Sequence, residues 1–282
     1  MTEPVSTLII IGNGFLARYC RDENPYERVV LVNRTEQGSA AGQPYGDNEI
    51  SLVCDITRLA EISKIVDAAG DSACDVVFMV PPSTFDSAKV MDELRPTITL
   101  LQTIELHRLV VVSSSGVYAD SAAAEIDAGS PTPVKSDRVR RLLDIENAFR
   151  SLHSGTVVLR LVGLYSERRI VGARQLRQNQ AVSGDGDSWL NLIHAEDAAR
   201  VIARLFCLES APPTLLLSDG CPLRRQDYYA ALAHHLGTTV QFNGEPLRRG
   251  AGYKADSSET WQVCDLSPLH ADARSTLKQA LG

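Results

Sequence analysis

The sequence predicts an α/β fold, a doubly wound parallel sheet with a small mixed C-terminal lobe. Three observations predict it. Short apolar runs recur through the first half of the chain, around Leu8–Ile11, Arg28–Asn33, Asp75–Val80 and Arg108–Ser113, as strands buried on both sheet faces do. Stretches with helical spacing separate them, the alternation that builds right-handed crossovers. A glycine turn closes the first run. At 282 residues, 44% hydrophobic and 22% charged, the chain can bury a sizeable core.

The first strand and turn read Thr7-Leu-Ile-Ile-Ile-Gly-Asn-Gly-Phe-Leu-Ala17. Four apolar residues before a glycine are too few for a helix and suit a buried strand. In Gly12-x-Gly14-x-x-Ala17 each small residue has a task. Gly12 permits the tight turn, Gly14 lets backbone approach a pyrophosphate, and Ala17 lets helix and strand pack closely. The helix opening at Phe15 then offers free N–H groups and the positive end of its dipole to phosphate. This is a Rossmann-type turn, and Gly12, Asn13, Gly14, Phe15 and Leu16 are candidate cofactor contacts.

Strand two ends in Asn33-Arg34, about twenty residues beyond the turn, where an NAD-binding chain usually carries an acid for the ribose 2′-hydroxyl. Here the acid is missing. Arg34 can pair with a 2′-phosphate instead, or stand as a solvated loop residue. The reading favours NADP, with NAD as the alternative, and assigns Asn33 and Arg34 to the cofactor. Strand three, Glu49–Cys54, is closed by Asp55, a further cofactor candidate. A helix follows from Thr57 to Ala69, with Thr57 as its N-cap. Strand four, Asp75–Val80, stops at Pro81-Pro82, and Pro81 to Thr84 is placed against the ribose. Residues 85–106 read as a helix that Pro96 should kink or restart.

Strand five leads into Ser113-Ser-Ser-Gly-Val-Tyr118, a hydroxyl-rich end at the carboxyl edge where ligands of open α/β sheets bind; Ser113 joins the cofactor candidates. A loop runs to Pro133, a helix spans about Ser136 to Leu152, and strand six covers Thr156–Val162. Trp189–His194 reads as one short strand leading into a helix through Glu196-Asp197. Thr214–Ser218 is a strand, Arg225–Leu236 a helix, and from Asn243 the lobe is expected to be partly irregular. Residues 1–165 are read as the dinucleotide-binding domain, and 166–282 as a smaller substrate lobe interwoven with the sheet.

Composition excludes some functions. A net charge of −7 argues against nucleic acid, whose phosphates need a basic face. No apolar segment approaches the length of a membrane span, and the N-terminus does not read as a signal peptide. Six dispersed cysteines with no CxxC fit reduced thiols in a cytoplasm rather than a disulfide or zinc framework. His234-His235 lack a third ligand nearby, so no metal site is expected.

Taken in order, these motifs resemble the extended short-chain dehydrogenase/reductase superfamily, the NAD(P)-dependent epimerases and dehydratases, in an atypical subgroup. The resemblance rests on Gly12–Ala17, Val112–Tyr118, Leu159-Arg-Leu-Val-Gly-Leu-Tyr165, Leu192-Ile-His-Ala-Glu-Asp-Ala-Ala199 and Leu215–Tyr229, and covers about residues 5–240. It implies a cofactor domain, a substrate-binding lobe, a small polar substrate that is phosphorylated or nucleotide-linked, and a homodimer packing helices that correspond to residues 85–106 and 136–152.

The resemblance breaks at the catalytic pair. Such enzymes use a Tyr-x-x-x-Lys pair one helix after a serine strand; the tyrosine exchanges a proton while hydride moves. Ser115 matches the serine. The pair falls on Val134 and Arg138, and valine transfers no proton. Tyr118 is a candidate replacement acid, although the family implies a structural role for it. Arg138 is a candidate contact for the nicotinamide ribose. Asp137 reads as a solvated helix start, Arg160 as an internal hydrogen-bonding residue, and Arg168 and Arg169 either as substrate contacts or as solvated. His194 invites a catalytic reading, against which the family implies a structural role for the His-x-x-Asp segment, and Asp197 reads as a helix-start anion or cap. Two functions remain: an NADP-preferring oxidoreductase or epimerase-like enzyme with an unidentified acid, or a non-catalytic dinucleotide-binding sensor or partner protein.

Overall fold

The computed structural model describes residues 5–22, 25–35, 46–119, 121–245, 247 and 252–281. In chain order the first elements are β1 (Thr7–Ile11), α1 (Phe15–Asp22), β2 (Arg28–Asn33), β3 (Glu49–Val53), α2 (Leu59–Ala69), β4 (Cys74–Phe78), α3 (Val90–Thr103) and β5 (Leu106–Ser114). Then come β6 (Glu125–Ile126), α4 (Asp137–Arg150), β7 (Thr156–Leu161), β8 (Gly163–Tyr165), α5 (Ala173–Arg177), β9 (Trp189–Leu190), β10 (Leu192–His194) and α6 (Ala195–Phe206). The last are β11 (Thr214–Leu217), β12 (Leu223–Arg224), α7 (Arg225–Leu236), β13 (Lys254–Ala255), α8 (Ser258–Cys264) and α9 (Ala273–Leu281).

Seven strands form one sheet in the order β11-β7-β5-β4-β1-β2-β3. The order reverses between β1 and β4, the topological switch at which such sheets bind ligands. The four pairings from β5 across to β3 are all parallel. This is the Rossmann-type doubly wound fold that the apolar runs predict. β1, β4 and β7 are buried at every position, which is why they lack the polar alternation of a one-faced strand.

The chain divides into two compact units, each drawn from three segments. The first comprises 1–113, 140–159 and 202–214, the second 114–139, 160–201 and 215–282. In the first, α2, α3 and α4 pack Ile62, Ile65, Leu94, Leu100, Ile145 and Phe149 against Ile9, Ile11, Val30, Val76 and Phe78. In the second, a separate core gathers Tyr165, Leu192, Tyr228, Leu232 and Leu277.

Several elements differ from expectation. β4 ends at Phe78 because Pro81 to Thr84 form a tight turn, in which the Thr84 amide donates to the Pro81 carbonyl. α3 begins only at Val90, since Asp86 first caps a turn by accepting from the Ala88 amide at 2.8 Å. Pro96 sits inside α3 without ending it. Thr57 does not cap α2; its hydroxyl and amide donate to Asp55, and Arg58 holds the N-cap position. Trp189–His194 is two strands, β9 antiparallel to β12 and β10 parallel to β8. The terminal segment is more regular than expected: α8 buries Thr260, Trp261 and Cys264, and α9 buries Ala273, Thr276 and Leu277. Small and hydroxylated residues on those faces hide the helical periodicity.

Candidate active site

In the first unit the turn after β1 has the geometry of a phosphate cradle. Gly12 adopts φ +101°, a left-handed conformation, and an added Cβ would meet the main chain of Met79 and Val80 at 3.0 Å. Only glycine fits there. Its amide and that of Asn13 both donate to the Val32 carbonyl, at 3.1 and 3.3 Å, which ties the turn to β2. Gly14 is exposed, and a Cβ there would find nothing within 4 Å. The space above it is open for a ligand. Asn13 is 3% exposed, and both polar atoms of its side-chain amide lack a hydrogen-bond partner. A buried amide left in this state costs about 1–3 kcal/mol, and a bound phosphate or ribose at the turn would satisfy it. Leu16 and Ala17 are buried at the start of α1, and Phe15 is half-buried, edge-on to Tyr19. The turn therefore fits a dinucleotide.

The other cofactor candidates lie in the same unit. Asn33 is buried, its amide 3.4 Å from the Ser51 hydroxyl, while Arg34 beside it is exposed. Asp55 is held in place by Thr57 and by its own amide, which donates to Glu61 at 2.8 Å. Burial opposes ionisation of Asp55, but the Thr57 hydrogen bonds and the charges of Arg58 and Arg34 outweigh it and hold the carboxyl below its usual range. Arg34 thus bears on the end of β3, where its charge is felt by Asp55. Pro81 is exposed at the start of the turn after β4. The Ser113 hydroxyl donates to Glu146 at 2.6 Å, and this fully buried carboxylate is paired with Arg150 at 3.1 Å. Glu146 gives no signal in the sequence, because α4 carries Asp137, Asp144 and Glu146 and spacing alone does not say which of them is buried.

The catalytic candidates belong to the second unit. Tyr118 is fully buried; its phenol accepts from Arg160 at 2.7 Å and donates to the Ala128 carbonyl at 3.3 Å. Arg160 also lies over the ring, 5.1 Å from its centroid. This phenol is bound into the scaffold, and Arg160 is the internal hydrogen-bonding residue that the sequence suggested. Ser115 opens a short 3-10 turn capped by Ser114, whose hydroxyl accepts from the Gly116 amide at 3.0 Å. The Arg138 guanidinium lies against that turn: a Cβ on Gly116 would come within 2.9 Å of it. Val134 is exposed.

One residue here has no signal in the sequence. Tyr253 is buried, edge-on to Tyr118 at 6.3 Å, and its phenol donates to the main-chain oxygen of Ser115 at 2.7 Å. Burial pushes the Tyr253 pKa up and Tyr118 adds to it, while a hydrogen bond with the Ser115 side chain and the charge of Arg138 pull it back. A phenol, a serine and a cation are therefore grouped in one unit, although Tyr253 lies 138 positions from Ser115.

Asp197 and His194 are buried in the second unit. Asp197 is fully buried and accepts from Arg200 and from the amides of Leu269 and His270, each at 2.9 Å. It ties down a distant loop rather than capping its own helix. His194 is buried, and its ring is stacked on His270; burial holds its pKa down, helped by His270. Arg168 and Arg169 are exposed. No helix among the described residues is long and apolar enough to cross a membrane.

A parallel sheet with this strand order and a Gly12–Ala17 turn defines a dinucleotide-binding α/β protein. The sequence model of the NAD dependent epimerase/dehydratase family matches residues 10–212, and the chain belongs to that family. Solved structures share its fold. One assigned to the NAD-dependent epimerase/dehydratases of Methylobacillus flagellatus is 23% identical, with a TM-score of 0.76 over 98% of this chain and 97% of that one. The UDP-N-acetylglucosamine 4-epimerase of Methanobrevibacter ruminantium M1, solved with UDP-N-acetylmuramic acid, is 14% identical with a TM-score of 0.78 over 100% and 98%. A dTDP-glucose 4,6-dehydratase of Streptomyces venezuelae, solved with NAD, is 16% identical with a TM-score of 0.77 over 96% and 95%. No curated protein sequence matches the chain.

Proposed function

We propose that the chain is an NADP-preferring oxidoreductase or epimerase-like enzyme that acts on a carbonyl or secondary alcohol of a small polar, nucleotide-linked substrate. The observation that carries this reading is the Tyr253 phenol on the Ser115 carbonyl, with Arg138 against the same turn. These are the chemical types of the family's Ser, Tyr and Lys, reached from a different part of the chain. The preference for NADP rests on Asn33-Arg34 at the end of β2, a neutral residue and an exposed guanidinium in place of an acid. The nucleotide-linked substrate rests on the neighbours solved with UDP-linked ligands.

A bound NADP would supply or accept the hydride. The Ser115 hydroxyl would hold the substrate oxygen by a hydrogen bond. Tyr253, kept neutral by its raised pKa, would give its proton to that oxygen as it gains charge, and Arg138 would stabilise the phenolate left behind. Gly12, Asn13, Gly14, Phe15 and Leu16 would hold the pyrophosphate and its flanking riboses, with Asn33, Arg34, Asp55, Pro81 and Ser113 completing the cofactor contacts. Tyr118 would support the Ser115 turn through Arg160 without exchanging a proton.

The test is NADPH oxidation with a panel of UDP- and dTDP-linked keto sugars, comparing the natural chain with Tyr253→Phe. The variant should lose at least about a hundredfold in kcat and keep its affinity for NADPH. Undiminished turnover in Tyr253→Phe would remove the tyrosine from the reaction. Tight NADPH binding without turnover of any substrate would favour a binding protein.

A further inference from the structure

We propose that Glu167, His194 and His270 form a binding site for a divalent transition cation of the zinc class. All three belong to the second unit, and the proposal does not depend on the cofactor reading. Each residue offers one ligand atom, and the three atoms lie within 4.8 Å of one another. Two ligands of a tetrahedral zinc ion stand about 3.3 Å apart, so closure asks for about 1.5 Å or less. Glu167 is exposed and His270 only half-buried, which leaves both free to make that adjustment. His194, fully buried at the end of β10, is the fixed point.

The hydrogen bonds prepare the imidazoles. Glu196 Oε2 lies 2.8 Å from Nε2 of His270. Holding the ring proton there leaves Nδ1 with a lone pair, the carboxylate–histidine arrangement that orients metal ligands. On His194, Nδ1 accepts the Glu196 amide through a long 3.3 Å contact, and Nε2 faces Glu167 Oε1 at 3.2 Å. A cation at Nε2 takes the place of the proton shared with Glu167; that proton moves to Nδ1, which gives up the long contact from the Glu196 amide and lies 4.0 Å from Glu196 Oε2. No proton leaves the ring, and Glu167 exchanges a hydrogen bond for a metal bond. The two rings stack with centroids 3.7 Å apart at 26°, so the half-buried His270 ring has to turn out of the stack for its lone pair to meet that of His194 at one cation. Two imidazoles and a carboxylate are the donor set of zinc or a neighbouring metal rather than calcium or magnesium. Sequence spacing hides this site, because His270 is 76 residues from His194 and Glu167 lies on a loop.

The experiment is calorimetric titration of the untagged full chain with Zn2+, followed by the visible spectrum of the Co2+-loaded chain. One equivalent should bind, and Co2+ should give the intense absorption of a low-symmetry four-coordinate site. His270→Ala and Glu167→Gln, both at accessible positions, should each weaken Zn2+ by at least tenfold. His235→Ala, on α7, should leave binding unchanged and so exclude the adjacent His234-His235 pair. Absence of Zn2+ binding by the natural chain would overturn the site. So would binding that survives both His270→Ala and Glu167→Gln, or that disappears in His235→Ala.

Discussion

The phenol of Tyr253 donates to the main-chain oxygen of Ser115 at 2.7 Å, with the charge of Arg138 acting on the same phenol. Removing that charge leaves burial, which raises the pKa, with less opposition. Arg138→Gln should therefore move the alkaline limb of the pH–rate profile to higher pH, since the neutral phenol is favoured more strongly. An unmoved limb would separate Arg138 from the titrating group.

Tyr118→Phe separates a structural phenol from a catalytic one. The substitution removes the acceptor of the buried Arg160 and the donor to Ala128. Stability should fall by about 1–3 kcal/mol in chemical denaturation, while kcat of the folded fraction stays within about threefold of the natural chain. A loss of kcat a hundredfold or more at intact stability would return Tyr118 to the role of acid.

Gly12 and Gly14 should respond differently to substitution. At Gly12 a side chain is strained by φ +101° and meets backbone at 3.0 Å, whereas at Gly14 it meets nothing within 4 Å. Gly12→Ala should lower Tm. Gly14→Val should leave Tm nearly unchanged and abolish NADPH binding, because its branches fill the space that a phosphate would need. Retained affinity in Gly14→Val would remove the phosphate from this turn.

Asp219 gives a pH signature of folding. It is 3% exposed, its Oδ2 has no hydrogen-bond partner, and burial followed by the charges of Asp272 and Asp197 pushes its pKa up to about 8. The unfolded chain releases that proton near pH 4, so between about pH 4 and pH 8 the folded state binds one proton more. Stability from this group is present below pH 4 and declines as pH rises to 8, by up to about 1.4 kcal/mol per unit. Asp219→Asn, which keeps an acceptor for the Cys221 amide, should flatten that decline and be more stable than the natural chain at pH 9. Parallel pH–stability curves for the two would contradict it.

The first strand and its glycine turn are legible in the sequence because their information is local. The β1 run, Gly12, Gly14 and Ala17 lie within eleven residues, and the tight approach to Met79 and Val80 that demands glycine is the feature the motif encodes. The surroundings of Ser115 are not legible in the same way. Tyr253 reaches Ser115 only through folding, from a segment whose helices carry Thr, Ser and Ala on their buried faces. Asp55 and Ser113 were placed at strand ends from the sheet rule alone, and the hydrogen bonds to Thr57 and Glu146 that orient them come from side chains with no spacing signature.

The most direct test of the account is titration calorimetry of the natural chain and of Arg34→Ala with NADPH and NADH. The natural chain should bind NADPH tightly and in preference to NADH. Arg34→Ala should lose about tenfold or more for NADPH and little for NADH. Equal losses for both cofactors, or preference for NADH in the natural chain, would contradict the role of Arg34, and no binding of either would contradict the cofactor site itself.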